Sequence, residues 1–209
     1  LPPNSSNKYL TDFRTKWGEE IDNYFEVSSV GLPKGMINRK DEEPKSKDDW
    51  GNVVSEIINN SALFDIDISA SPFVFGNCDI EVIVKALENV DGEYNIVIAI
   101  TEDSIVDWQK NGSYDDSVYV HNHVLRAIIN NTWGENLKSS NNYTANEEIN
   151  LSYNISISSL EQFNINHSTN ELFMGNGNTG AWDTNKLNIV AYIYNVDNKE
   201  IIQVEELHL

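Results

Sequence analysis

Two hydrophobic periods divide the chain near residue 60. Between Thr15 and Val27 the apolar positions Trp17, Ile21, Tyr24 and Phe25 recur at helical spacing and line one face. Gly31-Leu32-Pro33-Lys34-Gly35 breaks that pattern, and Met36–Arg39 is expected to form a short strand. The charged run from Lys40 to Asp49 contains Pro44 and reads as a solvated loop. Asp48 or Asp49 is placed to cap a second helix, which carries Trp50, Val53, Val54, Ile57 and Ile58 on one side and stops at Asn59-Asn60.

Beyond residue 60 the period falls from about 3.6 to about 2. Phe64, Ile66 and Ile68 alternate with Asp65, Asp67 and Ser69, and Ile80, Val82, Val84 and Ala86 alternate with Asp79, Glu81, Ile83 and Lys85. Asp91-Gly92 is expected to turn a hairpin from that strand into Tyr94, Ile96, Ile98 and Ile100, because both residues tolerate positive φ. Leu151, Tyr153, Ile155 and Ile157 mark the cleanest strand. A last hairpin runs from Leu187 to Asn195, turns at Val196–Lys199 and returns through Ile201 to Leu209. Strands with one apolar face each must cover one another. A mainly β chain is therefore expected, with an antiparallel, immunoglobulin-like β-sandwich over roughly residues 62–209. Residues 1–60 offer too little sheet for a core of their own, so they are expected to dock on the sandwich through Trp17, Phe25, Trp50 and Ile57.

Charge narrows the possible partners. Fourteen Lys+Arg against 33 Asp+Glu leave a net charge of −19 and a pI of about 4.4. With no basic stretch to replace phosphate counterions, nucleic acid is not an expected partner. At 40% hydrophobic residues and a mean hydropathy of −0.43 the chain has the material for a core. It contains no apolar run of the roughly 18 residues or more that spans a bilayer. A single cysteine, Cys78, excludes an internal disulfide and a CxxC motif within these residues, and it reads as a small buried side chain. P-loop, Rossmann, HExxH and GxSxG signatures are absent, so neither a cofactor nor an enzymatic activity is expected. The first residue is Leu1 and Leu1–Ser6 lacks the features of a signal peptide, which reads as a processed or trimmed piece of a longer protein. Among 29 asparagines, sequons such as Asn111-Gly112-Ser113 and Asn142-Tyr143-Thr144 arise by chance and do not imply glycosylation.

Three features carry candidate chemistry. His121 and His123, two apart on a strand, would share a face and are the pair a metal would use, with His167, Asp115 or Asp116 as further ligands. Only two ligands are patterned, so the preferred reading is structural: the rings bond to neighbours such as Asp103 or Asp107, and Arg126 pairs with Glu102 or Asp103. The loop from Asn170 to Lys186 is long for a sandwich connection. Its Phe173, Asn176, Asn178, Trp182 and Asp183 are a possible ligand-binding set for sugar or peptide, with Asn176–Asp183 as oxygen donors for calcium. The competing reading is an ordinary loop whose aromatic side chains cap the open end of the sandwich.

Several stretches together resemble one family. Asp12-Phe13-Arg14-Thr15 with Gly18, then Gly31–Met36 with Asn38-Arg39, are followed in order by Glu102-Asp103, Gln109, Val120-His121-Asn122-His123-Val124-Leu125-Arg126, Trp133-Gly134 and Val190-Ala191-Tyr192. This series resembles the outer membrane protein twenty-eight family of Bacteroidetes lipoproteins, over nearly the whole chain. The resemblance implies a thioredoxin-like domain, of which residues 1–60 would be the C-terminal remnant, followed by the sandwich at 62–209. It also implies a cis-proline corner at Leu32-Pro33. The implied location is the outer membrane, cell surface or periplasm-facing side, reached through a lipid anchor outside this chain. The implied role is non-enzymatic adhesion or binding to an extracellular protein or glycan. A thioredoxin-related redox or chaperone-like protein and a glycan-binding module are the alternatives.

Overall fold

The computed structural model describes residues 8–29 and 31–209. Leu1–Asn7, which carry the reading of a trimmed N-terminus, and Val30 lie outside the described residues. The Thr15 hydroxyl accepts from the Gly18 N–H at 3.1 Å and so caps α1 (Lys16–Phe25). The strand expected at Met36–Arg39 lies instead at β1 (Lys34–Gly35), paired antiparallel with β2 (Lys45–Ser46). Asn38 and Arg39 take positive φ (51° and 55°), which an extended strand does not accommodate. The Leu32–Pro33 peptide bond is cis. α2 (Trp50–Ile57) follows. After it come β3 (Phe64–Ala70), β4 (Asn77–Ala86), β5 (Val90–Asp91), β6 (Tyr94–Glu102), β7 (Ile105–Asn111), β8 (Tyr114–His121) and β9 (Val124–Ile128). β10 (Glu135–Asn136), β11 (Asn142–Tyr143), β12 (Glu148–Ser156), α3 (Ile157–Asn170), β13 (Leu187–Asn195) and β14 (Ile201–His208) complete the chain.

Two antiparallel sheets face each other. One has the order β12-β4-β3; the other runs β10-β6-β13-β14, with β9 also beside β6. The alternation seen in the sequence sorts the side chains. Phe64, Ile66 and Ile68, then Ile80, Val82 and Val84, meet Ile96, Ile98, Ile100, Ile189 and Ile193 in one buried cluster. The Asp91-Gly92 turn does not join β4 to β6 as a hairpin. Both sides of β4 are taken by β3 and β12, so the turn crosses between the sheets and Val90–Asp91 pairs with β11. Gly92 holds φ 137° there, and a Cβ would lie 3.2 Å from the Tyr94 ring.

Two elements arise that the pattern reading did not assign. β7 and β8 form a separate two-stranded sheet around Asn111-Gly112, a residue pair suited to a two-residue hairpin turn. α3 begins where β12 ends, so Ile157 is its first residue rather than the last of the strand. Its buried positions include Asn164, His167 and Ser168, and polar residues on the inner face erase the hydrophobic period.

The sheet containing β6 and β13 is covered on its outer face too. Val97 and Tyr192 are opposed in register and both buried, and Tyr194 lies two residues beyond Tyr192 on the same face. Over them sits Arg39, only 6% exposed, its guanidinium 5.1–5.9 Å from the rings of Phe25, Trp133, Tyr192 and Tyr194. It donates to the Tyr192 hydroxyl at 2.9 Å, and the Asn38 carbonyl accepts from the Ile201 N–H at 2.8 Å. α1 contributes Trp17 to the core, stacked at 5.0 Å on Phe163 of α3. His167 lies between Glu19 of α1 (3.2 Å) and Glu171 (3.0 Å). Of the four side chains expected to dock, Trp17 and Phe25 are buried and Ile57 is half-buried. Trp50 instead packs over Gly35, where a Cβ would come within 2.9 Å of its ring.

Arg39→Ala removes the cation from this aromatic cage. It is expected to lower unfolding free energy by about 2 kcal/mol, the scale of a desolvated cation–π contact plus a hydrogen bond. Urea denaturation measures the loss, and limited proteolysis should show faster cleavage within Lys40–Lys47.

Candidate functional site

The residues of the resembling motifs gather in two places: Arg39, Trp133 and Tyr192 in the aromatic cage, and Glu102 with Arg126 of β9 around a buried ion pair. The Arg126 side chain is 3% exposed, with Nε 3.2 Å from Glu102 Oε2 at the end of β6. Nη1 donates to the Thr179 carbonyl at 3.0 Å and Nη2 to the Gly180 carbonyl at 2.8 Å. The Trp182 ring lies 4.9 Å from the guanidinium. Desolvation pulls the Arg126 pKa below its ordinary value, while the charges of Glu102 and Glu161 oppose that shift. The other Glu102 oxygen accepts from the Asp183 N–H at 3.0 Å, and Glu161 accepts from the Trp182 N–H at 3.0 Å. The long loop is thus folded around a buried ion pair.

The loop also holds the chain ahead of α1. Asn176 and Asn178 both donate to the Leu10 carbonyl (2.9 and 3.2 Å), and the Asp12 N–H donates to the Asn178 carbonyl at 2.7 Å. Asp12, with a fully buried side chain, receives Arg14 at 2.8 and 2.9 Å and the Ser168 hydroxyl at 2.7 Å. Burial works to raise its pKa, but the hydrogen bonds and charge of Arg14, together with Ser168, hold it below the usual carboxylate range.

The five loop residues singled out by sequence therefore divide. Trp182 is buried against Arg126, Asn176 and Asn178 secure Leu10, Asp183 caps the turn at Thr184–Lys186, and Phe173 alone of the aromatic pair projects outward at 81% exposure. They do not form a common platform. Among the described residues, no group of three or more His, Cys, Asp or Glu side chains is arranged to hold a metal ion.

The two histidines also part. β8 ends at His121, and His123 adopts φ 53°, which breaks the alternation that would have put both rings on one face. His123 donates its backbone N–H to Asp103 at 2.6 Å, and its ring nitrogens lie 3.5 Å from Asp103 and 3.3 Å from Glu206. That backbone hydrogen bond lowers the Asp103 pKa. His121 packs instead against Phe13 and Tyr119, at ring distances of 5.8 and 4.8 Å.

Beside His121 lies an exposed apolar surface. The β7–β8 hairpin pairs with no other strand among the described residues and is strapped by Lys8 and Tyr9, which both bond to Asp115. Val106 and Val120 sit directly opposite each other, and with Val118 they are exposed at 60%, 47% and 70%. Against the hairpin is a cleft of about 280 Å³ whose walls include Tyr9, Phe13, Leu32, Trp108 and His121. Sequence reasoning missed this surface because its hairpin was not assigned; alternation from Ser117 to Val120 around Asn111-Gly112 was the available signal.

Residues 19–209 match the family described as Outer membrane protein Omp28. The chain belongs to the Omp28 family. Membership places it at the outer membrane and cell surface. A domain of the outer membrane lipoprotein Omp28 from Porphyromonas gingivalis is 19% identical, with 71% of this chain and 88% of that one covered at a TM-score of 0.42. HBP35 of Porphyromonas gingivalis has the same fold over 93% of this chain, at 10% identity and a TM-score of 0.62; the chain spans 57% of HBP35's length. β-Glucosidase 3B from Thermotoga neapolitana, at 12% identity and a TM-score of 0.33 over 70% of this chain and 16% of that one, is too distant to bear on fold or activity. No curated protein matches.

Two outcomes test these buried contacts. Glu102→Ala leaves a buried guanidinium without its counter-charge and is expected to cost about 3–5 kcal/mol. Tryptophan emission should shift to the red as the loop around Trp182 loosens. Asp12→Asn is expected to cost about 1.5–3 kcal/mol, the worth of hydrogen bonds to a charged group. Because the folded pKa of Asp12 is depressed, its stabilisation is complete above the unfolded value of about 3.9 and disappears as pH falls through the lower folded value. Thermal melts of the wild type should fall more steeply below pH 4 than those of Asp12→Asn.

Proposed function

We propose that this Omp28-family chain is a non-enzymatic binding module displayed at the cell surface, held there by a lipid anchor outside these residues, and that it engages an extracellular protein through the β7–β8 hairpin. The observation that carries this reading is the aliphatic stripe of Val106, Val118 and Val120 on a hairpin that no other strand pairs with among the described residues. A lone two-stranded hairpin is marginal in water, and contiguous exposed apolar side chains mark interaction surfaces. The opposite face of the hairpin borders a separate cleft, with Trp108, Tyr9 and Phe13 in its walls, sized for one large side chain or a single sugar ring. A binding role also agrees with the state of the reactive groups. The buried charges of Arg126, Glu102 and Asp12 are consumed in structural pairs, and burial raises the pKa of Cys78, keeping it a thiol.

The test is binding of the purified chain to arrayed extracellular-matrix proteins and to a glycan array. Protein targets should be retained by the wild type and lose at least about tenfold in affinity with Val118→Glu/Val120→Glu, a loss of about 1.4 kcal/mol. The variant's melting temperature should be nearly unchanged, since both positions are exposed. Unaltered binding by the folded variant would remove the hairpin from the role, and selective retention on glycans abolished by Trp108→Ala would reassign the partner class.

A further inference from the structure

The turn between β3 and β4 breaks two rules at once. The Val74 N–H donates to the Asn77 carbonyl and the Asn77 N–H to the Val74 carbonyl (2.9 and 3.0 Å), closing a two-residue turn over Phe75-Gly76. Both central residues are left-handed, Phe75 at φ 50° and Gly76 at φ 76°, the form in which Asn-Gly is the favoured pair. The bulky Phe75 takes that position fully exposed, with Val74 beside it at 61%. Neither the backbone conformation nor the core asks for an aromatic side chain there, so the strain points to a use outside the fold.

The polar groups of this tip are already bonded. Each carbonyl from Val74 to Asn77 has a donor within the protein. The Asn77 side-chain amide reaches Phe75 at 3.2 Å, the Ile157 N–H reaches Gly76 at 2.9 Å, and Val74 and Asn77 serve each other. Backbone acceptors satisfied internally are what a segment needs before it can leave water for lipid. The Phe75 and Gly76 N–H groups have no partner among the described residues, which suits acceptor oxygens of lipid headgroups. Phe73 is half-buried against the core and fixes the base of the tip. The residues at the start of α3, where Ile157 meets the tip, are the uncharged Ser156, Ser158 and Ser159. The first carboxylate along β4, Asp79, is turned to Asn154 at 2.7 Å on the outer face of the sheet.

We propose that Val74 and Phe75 insert into the lipid surface on which this chain is displayed, as a second contact beside its anchor. This rests on the anchored display proposed above and is independent of the β7–β8 hairpin. A convex tip fits the fluid boundary of a bilayer, whereas a protein partner would need a pocket shaped to it. Surface attachment gains from a second contact, for which a basic patch is the common device. At −19 with no basic stretch this chain has none to offer, and an apolar insertion takes that place. Position agrees. Pro72 and Phe73 share a cleft of about 720 Å³ with Thr184 and Asn185, and Asn176 and Asn178 of that same loop hold Leu10. A segment preceding Lys8 therefore enters at the end of the sandwich that carries the tip.

The test holds the 209-residue chain on phosphatidylcholine vesicles through an N-terminal hexahistidine tag and a nickel-chelating lipid. The tag stands in for the native anchor, so failure of the tip is read separately from failure of anchored display. With Phe75→Trp, the emission added to that of the wild type should shift to the blue and be quenched by brominated acyl chains. Leu87→Trp, just beyond the far end of β4, should not respond. Phe75→Asn should weaken vesicle affinity about tenfold, the scale of one buried aromatic side chain. It should also raise the melting temperature by about 2 °C or more, because asparagine suits the left-handed position. Adding phosphatidylglycerol should weaken wild-type binding, since the chain charge opposes an anionic surface. A tryptophan at position 75 that resists quenching, or a Phe75→Asn chain held as tightly as the wild type, would overturn the proposal. Loss of an extracellular protein target by Phe75→Asn without any vesicle response would overturn it too, and would assign the tip to a protein pocket.

Discussion

A guanidinium can be buried at the end of a β-sandwich only where counter-charge, carbonyl oxygens and an aromatic face meet it together, and Arg126 has all three. Glu102 supplies the charge, Thr179 and Gly180 the carbonyls, and Trp182 the face. Each of these contacts fixes a different part of the chain. Glu102 ends β6, the carbonyls and Trp182 belong to the long loop, and the Arg126 carbonyl itself accepts from Asn164 of α3 at 2.8 Å. Removing any one partner would leave a desolvated charge, so the loop, the helix and the sheet end are held as one unit. This accounts for a connection as long as residues 171–186 having a defined path without a hydrophobic core of its own.

The layer that contains α1 and Arg39 is attached by the same kind of interaction at a different place. Arg39 occupies an aromatic cage formed by Phe25, Trp133, Tyr192 and Tyr194 and donates to the Tyr192 hydroxyl. Ring faces are a cheaper partner than a carboxylate for a weakly hydrated cation. The consequence is a sheet buried on both faces along β6 and β13, while β3, β4 and β12 keep a polar outer face. Asymmetric burial of this kind leaves the three-stranded sheet and the β7–β8 hairpin as the surfaces open to other molecules.

Net charge then constrains how those surfaces are used. Carboxylates sit on most exposed strands, and the few pairs with lysine, such as Lys138 with Glu147 and Lys40 with Glu56, do not offset them. Contact with another chain is favoured where the row of side chains is aliphatic, as on the valine stripe of the hairpin.

Period-2 alternation by itself determined the sandwich, because each strand of Phe64–Ala70, Asn77–Ala86 and Leu187–Asn195 has an apolar face that water rejects whatever its neighbours are. Composition and motif order were enough to identify the Omp28 family and an acidic exterior, and the pairing of Arg126 with an adjacent carboxylate was legible from charge alone. Which strands became neighbours was not. Asp91-Gly92 has the residues of a hairpin turn, yet β4 already has two partners, and only the completed sheet shows that the turn must cross to the opposite one. α3 was invisible because Asn164, His167 and Ser168 face inward, where their partners come from residues 126, 19 and 12, far away in sequence. His123 left the face of His121 because one left-handed residue reverses strand alternation, and no local sequence rule demanded it. Tertiary structure decided these points because each depends on which distant group satisfies a buried donor, acceptor or charge.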